Sequence, residues 1–587
     1  MLGRERIKKW SPYILVILLY SLSFFILTYP LIKNFGSGII GYQGSDAPIF
    51  FWNAWFWKQK LLNWDWSYFT NLIFFPLYPS VLLHTNTQVQ GLLATIIGLV
   101  TGNSTLGFNL VFWFSTVAGA FFAFLFFNLK TKNTIASFLA GQYFGFQHLF
   151  GIYSLFGTQN VLSFWYLPAS LYFFELFLIK AKKNYLFWLA VILSLAFYNE
   201  LIVFLFSIAT IFLYGLGVMV LEKKKIKTYL IPALLVVVIF FVLSLPKILA
   251  INWKAGGAGD TPTPTLMDVD YYHSDIINLF RPSVHHLIGD QLGRLGGNFA
   301  LYNGNAFLGF SFFLVLFIWL LYYKKHKSSS EDKNSFLIYS FGAVMIFLLA
   351  CGPYLHLFGY ATGIVMPHWF IFKLWSGINN LRVPPRWLFV FIFFIAGILS
   401  LWLKNIFEHT TKQMKIFLSL VIYSLLIFDC WFVPKNIIFT TPDSPVFEKI
   451  VADKNGSVLE VPVLIASGQF NLNGSEYSSL LRQTWHQHQQ LGGMLSRLPF
   501  AWRDYYQQAP VLKYFINYET TLADQADLEK DNINNFVKVY DLRYIILDKS
   551  KLSISDKAGK SLLEYINNKL KFKVYFEDDK YLVFIVK

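Results

Sequence analysis

"GSDAPIFFWNAWFWKQK", residues 44–60, sets one carboxylate, Asp46, ahead of a run dense in Trp and Phe. Amphipathic rings settle at the headgroup level of a bilayer. The tryptophans Trp52, Trp55, Trp57, Trp64 and Trp66 would suffice to lay a helix along such an interface. "SDAP" offers Ser45 or Asp46 as the N-cap of that helix, with Pro48 in its first turn. An interfacial helix needs its aromatics but not the acid. Asp46 therefore has two readings: a cap, or a general base at the lipid–water boundary.

Composition decides the class around this stretch. Of 587 residues, 55% are hydrophobic, only 14% are charged, and 63 are Phe. A soluble chain of this length would split into several domains with far more charge. Apolar runs long enough to cross hydrocarbon recur through the first three quarters of the sequence. The formal charge of +16 is distributed in short clusters between those runs, at 4–9, 130–132, 180–183, 222–227, 324–327 and 412–415. That distribution follows the positive-inside rule and argues against a nucleic-acid partner. The two cysteines, Cys351 and Cys430, both fall in apolar runs and offer no disulfide framework.

The expected fold class is an α-helical polytopic membrane protein with a C-terminal extracytoplasmic α/β domain. About eleven spans are expected, near 11–33, 106–128, 134–156, 160–180, 184–199, 201–221, 229–251, 304–323, 336–355, 386–404 and 415–434. With the N-terminus cytoplasmic, every basic cluster then lies inside, in a plasma (inner) membrane. The run at 88–101 is too short to span and reads as re-entrant or interfacial. The domain division is 1–434 for the membrane module, with outer loops 34–105 and 252–303, and 435–587 for the soluble unit. In the latter, "SVLEVPVLI" and "LRYIILD" read as buried strands, and the last residues as a helix followed by a hairpin turning at "EDDK".

Acids near a membrane are costly, by about 2.5–3.5 kcal/mol at a span's centre, and so tend to be functional or paired. Asp268 and Asp270 form a D-x-D in the second outer loop. On an extended segment their carboxylates would share one face and suit Mg2+ or Mn2+. A bare D-x-D is common, however, and a solvated loop is the plainer reading. Asp275, His285 and His286 fit no zinc spacing and read as substrate or phosphate contacts, or as loop structure. Glu200 reads as an outer-turn residue, a water-facing one or a substrate contact. Glu175 and Asp429 sit inside spans as packing or pairing acids. Arg382 and Arg386 flank "VPP" at the outer end of a span, where forked guanidinium groups match phosphate oxygens or anchor the helix at the interface. Arg497 lies in "GGMLSR", and Trp485, His486 and His488 lie in "TWHQHQQ".

The chain resembles the C superfamily of glycosyltransferases (GT-C), and more narrowly its bacterial multi-spanning branch. The resemblance rests on "GSDAPIFFWNAWF" (44–56), "FFPLYPSVLLHTNT" (74–87), "HLFGIYSLFGTQNVLSFWYLPASL" (148–171), "SDIINLFRPSVHH" (274–286), "NNLRVPPRWL" (379–388) and "RQTWHQHQQLGGMLSRLP" (482–499), in that order. It implies a sugar transferase using a polyprenyl-phosphate-linked donor and a glycan, lipid or protein acceptor, with Asp46 as catalytic base. Arg382, Arg386 and Arg497 would then bind the donor phosphate. Metal-dependent members carry a second acidic pair in the next outer loop. Here that loop reads "FGTQN", without an acid, and offers only His148, Gln159 and Asn160. Metal dependence, with Mg2+ or Mn2+ as the fitting ions, thus stays open. The rival expectations are a transporter or flippase of lipid-linked glycans and a non-catalytic envelope-assembly protein. The absence of a repeat and the gathering of acids in outer loops count against transport.

Overall fold

The computed structural model describes residues 2–42, 44–82, 84–222, 227–254, 263–289, 306–323, 329–374, 381–433, 435–453, 455–468, 470–472, 476–518, 530–552 and 556–586. The basic residues at 223–226 and 324–327, and segments 255–262 and 290–305 of the second outer loop, lie outside the described residues. The chain forms two compact units: Met1–Phe35, Asn109–Leu245 and Thr263–Ile437 in one, Gly36–Phe108, Pro246–Pro262 and Ile438–Lys587 in the other.

The first unit is helical. It contains α1 (Leu2–Leu27), most of α4 (Ser104–Thr131), α5 (Thr134–Gly145), α6 (His148–Leu155), α7 (Tyr166–Lys180), α8 (Lys183–Asn199), α9 (Leu201–Leu221) and most of α10 (Lys227–Lys254). After α11 (Leu266–Asp270) come α12 (Phe310–Tyr323), α13 (Ser330–Ala350), α14 (Pro367–Leu374), α15 (Leu388–Glu408) and α16 (Lys412–Asp429). Two strands, β2 (Tyr354–Leu357) and β3 (Tyr360–Val365), form an antiparallel hairpin between α13 and α14. Among the described residues, six helices are long and apolar enough to cross a membrane: Ser104–Thr131, Val161–Lys180, Leu201–Leu221, Leu230–Ile251, Ser330–Ala350 and Pro384–Glu408. The last is the inner post, with 94% of its apolar window buried. Leu230–Ile251, with 17%, turns most of its apolar surface outward, as a lipid-facing helix does.

The expected continuous span at 134–156 is two helices. α5 ends at Gly145, Phe146 leaves helical geometry, and Gln147 is extended before α6 begins. Gly151 in α6 packs so close to the Phe432 ring that a Cβ would stand 2.1 Å from it. The acids within spans are spent on pairing. Glu175 accepts from Lys130 Nζ at 3.1 Å and from the Tyr214 hydroxyl at 2.7 Å. Asp429 accepts the backbone N–H groups of Phe310 (2.8 Å) and Ser311 (3.0 Å), which satisfies the start of α12. Gly309 is required there: its φ is +92°, and a Cβ would lie 2.5 Å from Asp429 Oδ2.

The second unit carries a five-stranded sheet. Its strands are β5 (Ser457–Val461), β7 (Gln489–Gln490), β9 (Leu542–Asp548), β10 (Lys573–Glu577) and β11 (Tyr581–Ile585), in the order β10-β11-β9-β5-β7. β9, β5 and β7 run parallel, and the β10–β11 hairpin closes one side. Two shorter strands, β6 (Ile465–Ser467) and β8 (Gly493–Leu495), pair separately. Segment 72–75 of the first loop binds along β7: Gln490 N–H donates to Leu72 O at 2.9 Å, and Phe75 N–H to Gln490 O at 3.0 Å.

Helices α2 (Ala47–Leu62) and α3 (Gln88–Thr101) complete this unit. Here the structure corrects the interfacial reading of the tryptophans. Trp52, Trp55 and Trp57 lie in one apolar core with Leu459, Val461, Ile545 and Leu547 of the sheet. Only Trp64 and Trp66, beyond the helix, are exposed. Burying an indole of roughly 200 Å2 at about 25 cal/mol/Å2 is worth some 5 kcal/mol before ordering entropy, so core packing wins over the headgroup boundary.

Candidate functional site

Asp46 occupies the N-cap position of α2, with φ −73° and ψ −9°, and Pro48 sits in the first turn. Its side chain makes no capping hydrogen bond. An N-cap that bonds N2 or N3 needs extended backbone geometry, and Asp46 is already in the helical region. The capping reading therefore fails on geometry. The side chain is half-buried, while its neighbour Ser45 is buried with an unpartnered hydroxyl. The helix behind Asp46 is held at several points. Trp52 Nε1 donates to Gln483 Oε1 at 2.7 Å, Asn53 Nδ2 to Thr85 O at 2.6 Å, and Trp57 Nε1 to Asn86 O at 2.9 Å. Ahead of it, Gly44 (φ +86°) passes beside Glu476, which pairs with Lys551. Asp46 thus stands on a fixed mount.

Within the helical unit, polar side chains collect where α5 breaks and where the chain turns through 156–165. Asn160 Nδ2 donates to Glu200 Oε2 at 3.1 Å. Glu200 lies between α8 and α9 and is only 7% exposed, which corrects the water-facing reading. Asn199 Nδ2 donates to the Ser163 hydroxyl, which in turn donates to Asn160 O. Arg386, on the Pro384–Trp387 turn, lies close enough to the Tyr153 hydroxyl for its charge to act on it. Ring contacts fix this turn: Trp387 on Phe206 (4.6 Å), and Phe389 on both Phe164 (4.8 Å) and Tyr153 (5.4 Å). Among the described residues several buried polar atoms here have no hydrogen-bond partner: both amide atoms of Gln147, Gln159 Nε2, Asn160 Oδ1 and Arg386 Nε. In a membrane-spanning unit such orphans each cost several kcal/mol unless a ligand meets them.

The histidines do other work. His148 Nδ1 donates to Asp429 O at 3.0 Å, and its Nε2 accepts the Ser283 N–H at 2.9 Å. Both nitrogens are used, so His148 is a structural tie between α6 and the second outer loop. His286 Nε2 donates to Phe428 O at 2.8 Å, and burial lowers its affinity for a proton. Its ring lies 5.8 Å from that of His148.

The D-x-D does not form the expected metal pair. Leu266–Asp270 is a helical turn, not an extended segment, and residues two apart on a helix point to different sides. Asp268 closes a capping box with Thr265, accepting its N–H at 2.7 Å and its hydroxyl at 2.8 Å. Asp270 faces His356 Nε2 at 3.2 Å. Asp275 is fully buried and accepts from Ile277 N–H (3.0 Å) and Gly359 N–H (2.6 Å). Among the described residues no three His, Cys, Asp or Glu side chains gather as metal ligands. Among the described residues, the D-x-D carboxylates do not share a face and so do not form a pair suited to Mg2+ or Mn2+.

Of the basic residues, Arg382 stacks over the Tyr272 ring at 5.1 Å, as an anchor does. Arg497 is half-buried in the second unit and follows Ser496, whose hydroxyl meets His84 Nδ1 at 3.0 Å. Trp485 donates to Thr440 O, and His488 contacts the carbonyls of Gly456 and Ile450, so both are structural. Sequence reasoning missed Tyr153, Gln147 and Arg281. Arg281 is buried beside Asn278 and was visible only as the cation of "FRPS".

No protein-family model matches the chain, and no curated protein sequence does. Among solved structures it is similar to the oligosaccharyltransferase of Archaeoglobus fulgidus in its apo form, at 12% identity and TM-score 0.49, over 95% of this chain and 72% of that one. It is similar to the arabinofuranosyltransferase AftD from Mycobacteria, at 11% identity and TM-score 0.44, over 92% of this chain and 37% of that one. It is also similar to ArnT from Cupriavidus metallidurans bound to undecaprenyl phosphate, at 10% identity and TM-score 0.40, over 98% of each chain. The solved structures it resembles are GT-C glycosyltransferases, at identities and TM-scores that leave this chain's chemistry to be argued from its own residues.

Proposed function

We propose that the chain is an integral-membrane glycosyltransferase that moves a sugar from a polyprenyl-phosphate donor to an extracytoplasmic acceptor. In this reading the N-terminus is cytoplasmic and the chain end extracytoplasmic. Asp46 takes the proton from an acceptor hydroxyl or amine as that atom attacks the anomeric carbon. The bond from the anomeric carbon to the phosphate oxygen breaks, the phosphate leaves with the electron pair, and the sugar is inverted. Arg386, whose Nε has no partner among the described residues, is the favoured cation for the leaving phosphate, ahead of the stacked Arg382 and of Arg497. No step is routed through a metal.

The observation that carries the reading is Asp46 itself: a carboxylate on a rigidly packed helix start that is not spent on capping that helix. The test is sugar transfer from a panel of polyprenyl-phosphate sugars in liposomes, wild type against Asp46→Asn, with donor binding measured alongside. Transfer lost while binding persists supports the base. Equal transfer removes Asp46 from the mechanism. One observation favours the transporter rival: the α5–α6 break, since broken helices line transport sites. A transporter would move lipid-linked glycan across liposomes and tolerate Asp46→Asn.

A further inference from the structure

The segment from Cys351 to Phe372 contains no Asp, Glu, Lys or Arg. It connects two of the membrane-crossing helices, α13 and the Pro384–Glu408 helix. Only Cys351, Gly352 and Pro353 separate α13 from β2, and three residues reach at most about 10 Å. The hairpin therefore begins within that distance of the end of a span.

Its outer surface is apolar and open. All six residues of β3 are exposed, with Tyr360 at 79% and Ile364 at 56%. Phe358 at the turn is 58% exposed, and Phe370 and Leu374 of α14 are 53% and 86% exposed. Exposed edge strands facing water are usually guarded by charge, especially Lys, and this one has none. The single cation, Lys373, stands 5.8 Å over the Trp369 ring, the Trp–Lys pairing of a headgroup belt. The inner side is fastened instead. His356 of β2 meets Asp270, and the Gly359 N–H at the turn donates to buried Asp275. Met267 of α11, joined through Asp270, and Tyr271 just after it are exposed as well.

We propose that the β2–β3 hairpin and α14 form a rigid paddle whose outer face is seated in the headgroup region of the bilayer. Hydrocarbon itself is excluded for β3, which among the described residues pairs with β2 alone and so keeps one open edge of backbone groups. Insertion is therefore shallow, about 5–10 Å into the headgroup–acyl boundary, as for interfacial amphipathic elements. The partner is a lipid surface, continuous with that met by the outward face of α13, whose apolar window is only 39% buried.

The test uses the full chain reconstituted in phosphatidylcholine vesicles, with an environment-sensitive dye on Tyr360→Cys. Ile364→Cys is the second probe, and Glu448→Cys, exposed on the other unit, the aqueous control. Cys351 and Cys430 are buried and do not compete for label. The paddle dyes should emit to the blue of the control, lose intensity several-fold with spin-labelled lipid, and resist aqueous iodide. Iodide quenching equal to the control's overturns the proposal. Shielding from iodide without quenching by lipid also overturns it, because the face would then be covered by protein, a second copy or a soluble partner.

Discussion

Trp52 and Gln483 stand 431 positions apart, yet the indole Nε1 donates to the amide Oε1 at 2.7 Å in a fully buried contact. Gln483 also gives its amide N–H groups to His488 O at 3.0 Å and to Leu72 O. One side chain thus joins α2, segment 72–75 of the first loop and the approach to β7. Gln483→Leu would leave a buried indole N–H and two carbonyls short of partners. The expected loss is about 1–3 kcal/mol, read as a lower unfolding midpoint of the purified full chain. An unchanged midpoint would show that the joint is dispensable.

Asp46 sits at the head of the helix this joint secures. Asp46→Asn keeps the size of the side chain and one of its oxygens and removes no cap from α2, so it should shift the unfolding midpoint by less than about 1 kcal/mol. Loss of a general base costs about 10^2–10^4 in rate. A variant that loses activity and stability together would assign Asp46 to folding.

Arg482 lies buried between two carboxylates, with Nε 2.8 Å from Glu460 Oε2 and Nη1 3.0 Å from Asp548 Oδ2. Removing one partner from such a cluster leaves uncompensated buried charge, at about 3–5 kcal/mol. Arg482→Met alone should therefore be far less stable than the triple variant Arg482→Met, Glu460→Leu, Asp548→Leu. Equal chemical-denaturation midpoints for the two would remove the electrostatic account.

Burial holds the His84 imidazole down to about 4, from an ordinary 6.5. Its Nδ1 accepts the Ser496 N–H at 3.1 Å, so the ring is built to be neutral. The folded pKa is depressed, and its contribution is therefore complete above pH 6.5. As pH falls from 6.5 towards 4 the unfolded chain takes a proton that the folded one refuses, and stability is lost. The full amplitude is on the order of 3 kcal/mol. Denaturant unfolding across that window should lose part of its pH slope in His84→Gln, and an unaltered slope would assign the dependence to other groups.

Much of this was legible in the sequence, for identifiable reasons. Helix positions and the β10–β11 hairpin follow from hydrophobic period and turn residues, which are local signals. The tryptophans misled because an aromatic run looks the same at a headgroup boundary and in a core. Only the distant partner, Gln483 on a helix more than four hundred residues later, decides between them. The D-x-D misled because its face-sharing argument assumes a strand, while Thr265 and Asp268 form a capping box that turns the segment into a helix. Glu200 looked like a water-facing turn because its partner Asn160 lies forty residues back, in a loop with no regular period.

The pair Arg386 and Glu200 gives the sharpest test of the donor reading. Among the described residues Arg386 Nε has no hydrogen-bond partner, whereas Glu200 Oε2 already accepts from Asn160 at 3.1 Å. A phosphate oxygen would satisfy the first, and hydrogen bonds to charged groups are worth about 1.5–3 kcal/mol. Binding of unglycosylated undecaprenyl phosphate should therefore weaken by roughly 10- to 100-fold in Arg386→Gln, with Arg386→Lys intermediate because it keeps the charge but loses the fork. Glu200→Gln keeps an oxygen for the Asn160 amide while removing the charge. Its effect on binding of the bare lipid phosphate should stay below about tenfold, the factor set by 1.4 kcal/mol. If Arg386→Gln binds the lipid as tightly as wild type, the phosphate belongs elsewhere and Arg386 reverts to an interfacial anchor.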